Sequence, residues 1–135
     1  MSQDKYSQYK EVQVKTANQN KLLIMLYQGC IKFLKLAKEG IEEGDIEKKN
    51  EYLQRSQSII NELKNTLDFE QGDDIAQDLD QLYDFMNRQL IAANIQNKAE
   101  LVDEVRELMK DLLVTWREVI DTQEDGPKNS INMQG

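Results

Sequence analysis

The sequence predicts an all-α protein built as an antiparallel, up-down-up-down four-helix bundle, with a short N-terminal arm and a disordered C-terminal tail. Apolar residues recur at helical spacing through four segments, and no sustained alternation typical of strands occurs. The one proline, Pro127, lies near the C-terminus, so no proline interrupts the four segments. The spacers are short, about two to five residues, which favours antiparallel neighbours.

The first helix is expected over about residues 19–41, with Asn18 as its N-cap. Its main apolar stripe consists of Leu23, Tyr27, Cys30, Leu34, Ala37 and Ile41. More apolar residues lie on other sides of the same helix, namely Leu22, Ile24, Met25, Leu26, Ile31 and Phe33. A helix that is apolar nearly all round has more apolar surface than the core of one bundle can cover, which indicates that a protein partner covers the rest. Gly29 lies inside this helix, where glycine is about 1 kcal/mol less favourable than alanine. A glycine in such a place often permits a neighbouring backbone to approach closely, so a close approach is expected at Gly29.

The second and third helices are expected over about residues 46–69 and 75–95. Asp45 and Asp74 stand where N-caps are needed, and Gly72 is expected between the two helices. The second helix carries a stripe of Ile46, Leu53, Ser56, Ile60, Leu63 and Leu67. The third carries a core stripe of Ile75, Leu79, Leu82, Met86, Leu90 and Ala93, and surplus apolar residues at Tyr83, Phe85, Ile91 and Ile95.

The fourth helix is expected over about residues 98–121, with Asn97 as its N-cap. Its predicted core stripe is Leu101, Val105, Leu108, Leu112, Thr115 and Val119. A second stripe consists of Val102, Met109, Leu113, Trp116 and Ile120. Second stripes on several helices predict grooves that receive the apolar face of a partner helix. The alternative is a wide core with a homodimer face.

The two ends of the chain differ from the bundle in composition. Residues 1–17 are expected to form an N-terminal arm, either extended or a short helix, beside a bundle of residues 18–121. Residues 122–135 are rich in Gly, Pro, Asn and Gln, which predicts a disordered tail.

Composition excludes several classes of function. The chain has 25 acidic and 17 basic residues, and its net charge of −8 opposes binding to nucleic acid or to anionic membranes. It has no histidine, which excludes Ser-His and Cys-His nucleophiles and nearly all zinc sites. We therefore expect no enzyme, no metal and no cofactor. With a single cysteine, no internal disulfide can form, and Cys30 is expected to be a small buried hydrophobic residue.

An ordered set of short motifs resembles the FliS family of flagellin export chaperones. They are Thr16-Ala17, the run Leu22-Leu23-Ile24-Met25-Leu26-Tyr27-Gln28-Gly29, Ile41-Glu42-Glu43-Gly44-Asp45, Ile59-Ile60-Asn61-Glu62-Leu63, Leu67-Asp68, Ile75-Ala76, Leu79, Leu82-Tyr83-Asp84-Phe85-Met86, Leu90, Ala93-Asn94, Glu104-Val105 and Trp116. The resemblance covers about residues 6–120. The chain departs from the family pattern at Gln19, where members usually have proline, and at the turn Glu70-Gln71-Gly72-Asp73.

The resemblance implies a chaperone of the bacterial cytosol that holds the disordered C-terminal segment of flagellin. That segment would fold into helices around the bundle, which would prevent early polymerisation and keep flagellin competent for export. The implied further partners are the membrane export gate and a co-chaperone. The resemblance also implies that Tyr6, Tyr9 and Val12 on the arm act as a removable lid over the binding groove.

The predicted partner-binding residues lie on the arm and on three helices. They are Tyr6, Tyr9, Val12, Leu22, Met25, Leu26, Ile31, Tyr83, Met86, Leu90, Asn94, Leu101, Val105 and Trp116. Two rival functions remain open at this point. One is a homodimeric structural bundle, and the other is an adaptor that binds an unrelated amphipathic helix.

Overall fold

A computed structural model describes the backbone of residues 5–134 and the side chains of residues 19–72 and 74–122. The four elements are α1 (Lys5–Glu43), α2 (Ile46–Asn65), α3 (Phe69–Gln96) and α4 (Ala99–Gln134). The described part of the chain contains no strand, so the predicted all-α four-helix bundle is confirmed.

The four helices stand at the corners of a square. The first helix packs against α2 and α4, and α3 packs against the same two helices. Short loops reverse the chain after each helix, so neighbours are antiparallel. The α1–α2 and α3–α4 loops lie together at one end, which we call the loop end. The α2–α3 turn lies at the other, which we call the open end.

The helices differ in length more than predicted. The first has 39 residues and α2 has 20, so α1 is about 28 Å longer and extends past α2 at the open end. It begins at Lys5 rather than near residue 19, because neither glycine nor proline occurs before Gly29. The fourth helix extends to Gln134, beyond its predicted end near Asp121. Helical backbone therefore runs through much of the predicted arm and tail.

The turn between α2 and α3 comes earlier in the chain than predicted. Asp68 caps α3, because its carboxylate accepts from the amides of Glu70 and Gln71 at 3.1 and 3.2 Å. The hydroxyl of Thr66 donates to the carbonyl of Leu63 at 2.7 Å and closes α2. The prediction of Asp74 as the cap was therefore wrong, and Gly72 lies inside α3.

At the loop end, Asp45 caps α2 as predicted, accepting from the Lys48 amide at 3.0 Å. Asn97 closes the C-terminus of α3 in the left-handed region, with φ of 53°, and α4 begins at Ala99, so Asn97 is the C-cap of α3 and not the predicted N-cap of α4. The ammonium of Lys49, a residue only 7% exposed, donates to the Asn97 side chain at 2.8 Å and to the Asn94 carbonyl at 3.3 Å. This lysine therefore ties α2 to the end of α3.

The core runs along the centre of the bundle and receives residues from every helix. Its fully buried members are Tyr27, Cys30, Leu34, Ala37, Leu53, Ile60, Leu63, Tyr83, Met86, Leu90, Ala93, Val102, Val105 and Met109. The fourth helix is rotated from the predicted orientation, because Val102 and Met109 are buried whereas Val119 is 40% exposed. On α3, Ile75 is 69% exposed, so the predicted core stripe ends short of the open end.

The two interior glycines of α1 differ in what surrounds them. A methyl group on Gly29 would lie 3.5 Å from the Ile59 side chain, an ordinary contact, so no close backbone approach occurs there. A methyl group on Gly40 would lie 2.7 Å from the Lys49 backbone nitrogen. The close approach that was predicted at Gly29 therefore occurs at Gly40.

Candidate functional site

Apolar side chains remain uncovered on α1 at the open end. Leu22 and Met25 are 56% and 58% exposed. Leu22 lies beside Thr66, where α2 has already ended, and Met25 lies on the outer side of α1, about 160° around the helix from the buried Tyr27. The adjacent depression has a volume of about 270 Å³ and is lined by Gln19, Asn20, Leu22, Leu23, Leu26 and Thr66. This uncovered face, from residue 19 to Leu26, can receive an apolar side chain from outside.

A second depression lies beside it, where α2 ends and α3 begins against the sides of α1 and α4. This open-end cavity has a volume of about 250 Å³, and α1, α2, α3 and α4 all contribute to its wall. Its apolar lining comes from Leu23, Leu63, Leu67, Ile75, Ala76, Leu79, Tyr83 and Trp116. Together, the cavity and the uncovered face of α1 form the open-end surface, which is mainly apolar.

A hydrogen-bonded aromatic group lies at the base of the open-end cavity. The indole nitrogen of Trp116 donates to the hydroxyl of Tyr27 at 3.1 Å, and that hydroxyl also pairs with the hydroxyl of Tyr83. Both tyrosines are buried, and their burial raises the pKa of each phenol above its usual value near 10. The group joins α1, α3 and α4 directly beneath the surface.

Cys30 is buried in the same region as a free thiol. Burial raises the pKa of its thiol to about 12, so the reactive thiolate does not form at neutral pH. The thiol points toward the carbonyl of Ser56, with a sulfur–oxygen distance of 3.8 Å. The prediction that this cysteine is a small buried hydrophobic residue agrees with its position.

The predicted binding residues that the structure describes form three groups, which are exposed, partly buried and fully buried. Exposed residues are Leu22, Met25 and Asn94. Partly buried residues at the edge of the core are Leu26, Ile31, Leu101 and Trp116. The side chains of Tyr6, Tyr9 and Val12 lie outside the described residues. Among the described members, Leu22, Met25, Leu26 and Trp116 gather at the open end, whereas Asn94 and Leu101 lie near the loop end.

Four residues predicted to contact a partner belong instead to the core. Tyr83, Met86, Leu90 and Val105 are at most 1% exposed. A partner cannot reach the last three without separating the helices, and Tyr83 meets solvent only at the wall of the cavity. Their assignment is corrected because helical periodicity shows an apolar stripe without showing which side of the helix faces inward.

Several exposed apolar residues were absent from the predicted set. Ile75 and Phe69 extend the open-end surface onto α3, and Val119 lies one turn beyond Trp116 on α4. For Phe69 and Ile75 the signal in the sequence was their nearness to the start of α3, where neighbouring helices cover less of the surface. Ile91 and Ile95, 52% and 76% exposed, form a separate pair near the loop end.

The described side chains include many carboxylates, and none of these carboxylates is fully buried. No group of three or more Cys, Asp or Glu residues among them could hold a metal ion. Some carboxylates in this part of the molecule form ion pairs between helices, as in Lys38 with Asp103 at 3.4 Å and Lys64 with Asp80 at 3.0 Å. Among the described residues, no helix is both long and apolar enough to cross a membrane.

Comparison with known proteins supplies the family. The family model for flagellar protein FliS matches residues 1–123. The flagellar secretion chaperone FliS of Bacillus subtilis strain 168 is 37% identical over 121 residues, covering 90% of each chain. That of Campylobacter jejuni is 38% identical, covering 84% of this chain and 89% of the relative. That of Salmonella typhimurium is 37% identical, covering 81% and 82%. The chain therefore belongs to the FliS family of flagellar secretion chaperones.

Proposed function

We propose that this protein is a cytosolic export chaperone that binds the disordered C-terminal segment of flagellin on its open-end surface. The observation that carries the proposal is the solvent-open, mainly apolar cavity beside the exposed Leu22 and Met25. Family membership supports the export role, and the geometry supports an apolar segment as the bound part of the cargo. Further partners in this proposal are the export gate and a co-chaperone.

The apolar character of the surface suits a segment that folds as it binds. Such a segment loses conformational entropy on binding, so the complex must gain stability by burying apolar area. The open-end surface offers side chains from all four helices within one region. An amphipathic helix could place one large side chain in the cavity and the next turn against Leu22 and Met25.

A pair of matched double variants tests the location of the site. We expect Leu22→Gln with Met25→Gln to weaken binding of a flagellin C-terminal peptide. Both side chains are already about half-buried, so full burial adds roughly 1 kcal/mol each, and their combined loss gives about 30-fold weaker binding. The control is Ile91→Gln with Ile95→Gln, which removes two apolar side chains near the other end that are together at least as exposed as Leu22 and Met25.

Fluorescence anisotropy with a labelled peptide measures both variants. A large loss in the α1 variant and little change in the α3 variant supports the open-end location. Equal losses in both would contradict it, because they would mean that general surface hydrophobicity drives binding. No binding by the unaltered protein would leave the adaptor or homodimer interpretation.

We also propose that the first part of α1, with Tyr6, Tyr9 and Val12, acts as a removable lid on this surface. The support is that α1 continues to Lys5 past the end of α2, at the end where the open-end surface lies. Deleting residues 1–15 should raise the affinity for the flagellin peptide if the segment only covers the site. Unchanged affinity, with the bundle still folded, would contradict a lid.

A further inference from the structure

A second apolar depression lies on the side of the bundle, between α3 and α4. This α3–α4 groove has a volume of about 490 Å³ and is lined by Phe85, Glu104, Glu107, Leu108 and Asp111. It shares no lining residue with the open-end cavity. The helix that carries Leu22 and Met25, α1, stands diagonally opposite α3, so the groove faces a different direction.

The floor of the groove is apolar and held in place. Phe85 from α3 and Leu108 from α4 both line it, and both are only partly buried. Leu108 lines the groove because α4 is rotated so that Val105 and Met109 occupy the centre of the core instead. The Gln89 amide donates to the Glu104 carboxylate and links the two helices beside Phe85. The apolar floor is therefore formed before any partner arrives.

The α4 side of the groove is acidic. Glu104, Glu107 and Asp111 are all exposed and follow one another at intervals of three and four residues, so they share one helix face. Among the described side chains, Glu104 and Asp111 form no ion pair, and Glu107 pairs at 3.4 Å only with Lys110 on its own helix. The groove thus places three carboxylates beside two apolar side chains.

We propose that the α3–α4 groove binds an amphipathic helix of a second protein, which carries Lys or Arg beside its apolar stripe. The apolar stripe would contact Phe85 and Leu108, and the basic residues would pair with Glu104, Glu107 and Asp111. This goes beyond the proposed chaperone function, because the second protein could bind while flagellin occupies the open end. A symmetric dimer through this groove is disfavoured, since it would bring the same carboxylates together.

The test uses a designed helical peptide with leucines at positions i, i+4 and i+7 and lysines beside them, together with a peptide in which glutamate replaces each lysine. The groove variant is Glu104→Gln, Glu107→Gln and Asp111→Asn in the full chain. The control variant is Glu42→Gln, Glu47→Gln and Glu62→Gln, which changes the net charge equally at exposed positions elsewhere. Anisotropy measures binding at low and high salt.

We expect the lysine peptide to bind the unaltered and control proteins alike, and the groove variant about tenfold more weakly. The glutamate peptide should not bind, and added salt should weaken the lysine complex. Backbone amide shifts in an NMR titration should concentrate on α3 and α4. Binding should persist in the presence of a saturating flagellin peptide, and the groove variant should still bind that peptide.

Three results would overturn the proposal. Equal weakening in the control variant would mean that overall charge, rather than the groove, attracts the peptide. Competition between the lysine peptide and the flagellin peptide would make the groove part of the cargo site. Absence of binding by the lysine peptide would mean that the groove does not accept a basic amphipathic helix.

Discussion

The Tyr27 hydroxyl joins three helices beneath the proposed binding surface. It accepts from the Trp116 indole at 3.1 Å and pairs with the Tyr83 hydroxyl. Tyr27→Phe keeps the ring and removes both interactions. A buried polar group without a partner costs about 1–3 kcal/mol, and the open cavity lets water reach part of the group. We therefore expect Tyr27→Phe to lower the free energy of unfolding by about 2 kcal/mol.

A double-mutant cycle isolates the bond between the two tyrosines. Tyr83→Phe should cost about 1 kcal/mol, because Trp116 keeps its acceptor on Tyr27. The double variant should cost about 2 kcal/mol, which is less than the sum of the two single effects. In Tyr27→Phe the Tyr83 hydroxyl loses its partner, whereas in the double variant that hydroxyl is absent. The expected coupling is about 1 kcal/mol.

Urea denaturation followed by circular dichroism measures these changes. Tyr52→Phe is the control, because the Tyr52 hydroxyl makes no hydrogen bond to the described side chains, and it should change stability by less than about 0.5 kcal/mol. Additive losses in the cycle, or a Tyr27→Phe effect no larger than that of Tyr52→Phe, would refute the reasoning.

The pH dependence of stability gives a second measurement of the same pair. Burial raises the pKa of Tyr27 and of Tyr83 in the folded protein, so these phenols ionise first in the unfolded chain. The contribution of the two phenols to the free energy of unfolding is fully present below about pH 10, and it is lost as the pH rises above that value toward the folded pKa. The doubly substituted protein should lose less stability than the unaltered protein over that alkaline range.

Three other predictions concern packing and reactivity. Gly40→Ala should lower stability by about 1–2 kcal/mol, because the added methyl group would lie 2.7 Å from the Lys49 backbone nitrogen. Gly29→Ala should be neutral or stabilising. Equal effects of the two variants in thermal unfolding would contradict this. Lys49→Met should lower the free energy of unfolding by about 1–2 kcal/mol, because the Asn97 side chain loses its donor. Amide hydrogen exchange near Asn97 should become faster. Unchanged exchange would mean that the lysine does not hold the loop. Cys30 should resist alkylation at about pH 8 until denaturant is added, and rapid labelling of the native protein would contradict its burial.

The fold could be predicted from the sequence because apolar residues recur at helical spacing in four segments joined by short turns. Helix ends were less certain, since Asp68 and Asp74 are both good caps and only the structure shows which one accepts amide hydrogens. The rotation of α4 was ambiguous for a similar reason. Leu101 and Val102 are both apolar, and a shift of one position turns a helix by about 100°.

The candidate site was harder to predict than the fold because exposure depends on where neighbouring helices end. Leu22 is accessible where α2 has stopped at Asn65, and no periodicity in α1 contains the position of that end. Met86 and Leu90 are the same residue types at a similar helical spacing, yet they are buried because neighbouring helices surround that part of α3. Residue type alone therefore identified apolar stripes without separating the core from the surface.

The central claim is that a disordered flagellin segment folds onto an apolar surface of this bundle. Isothermal titration calorimetry at several temperatures, with a flagellin C-terminal segment from the same cell, tests it most directly. We expect one-to-one binding with a heat-capacity change of about −0.2 to −0.6 kcal/mol/K, as for burial of about 1,000–3,000 Å². A heat-capacity change near zero, or no binding heat at any temperature, would contradict the claim.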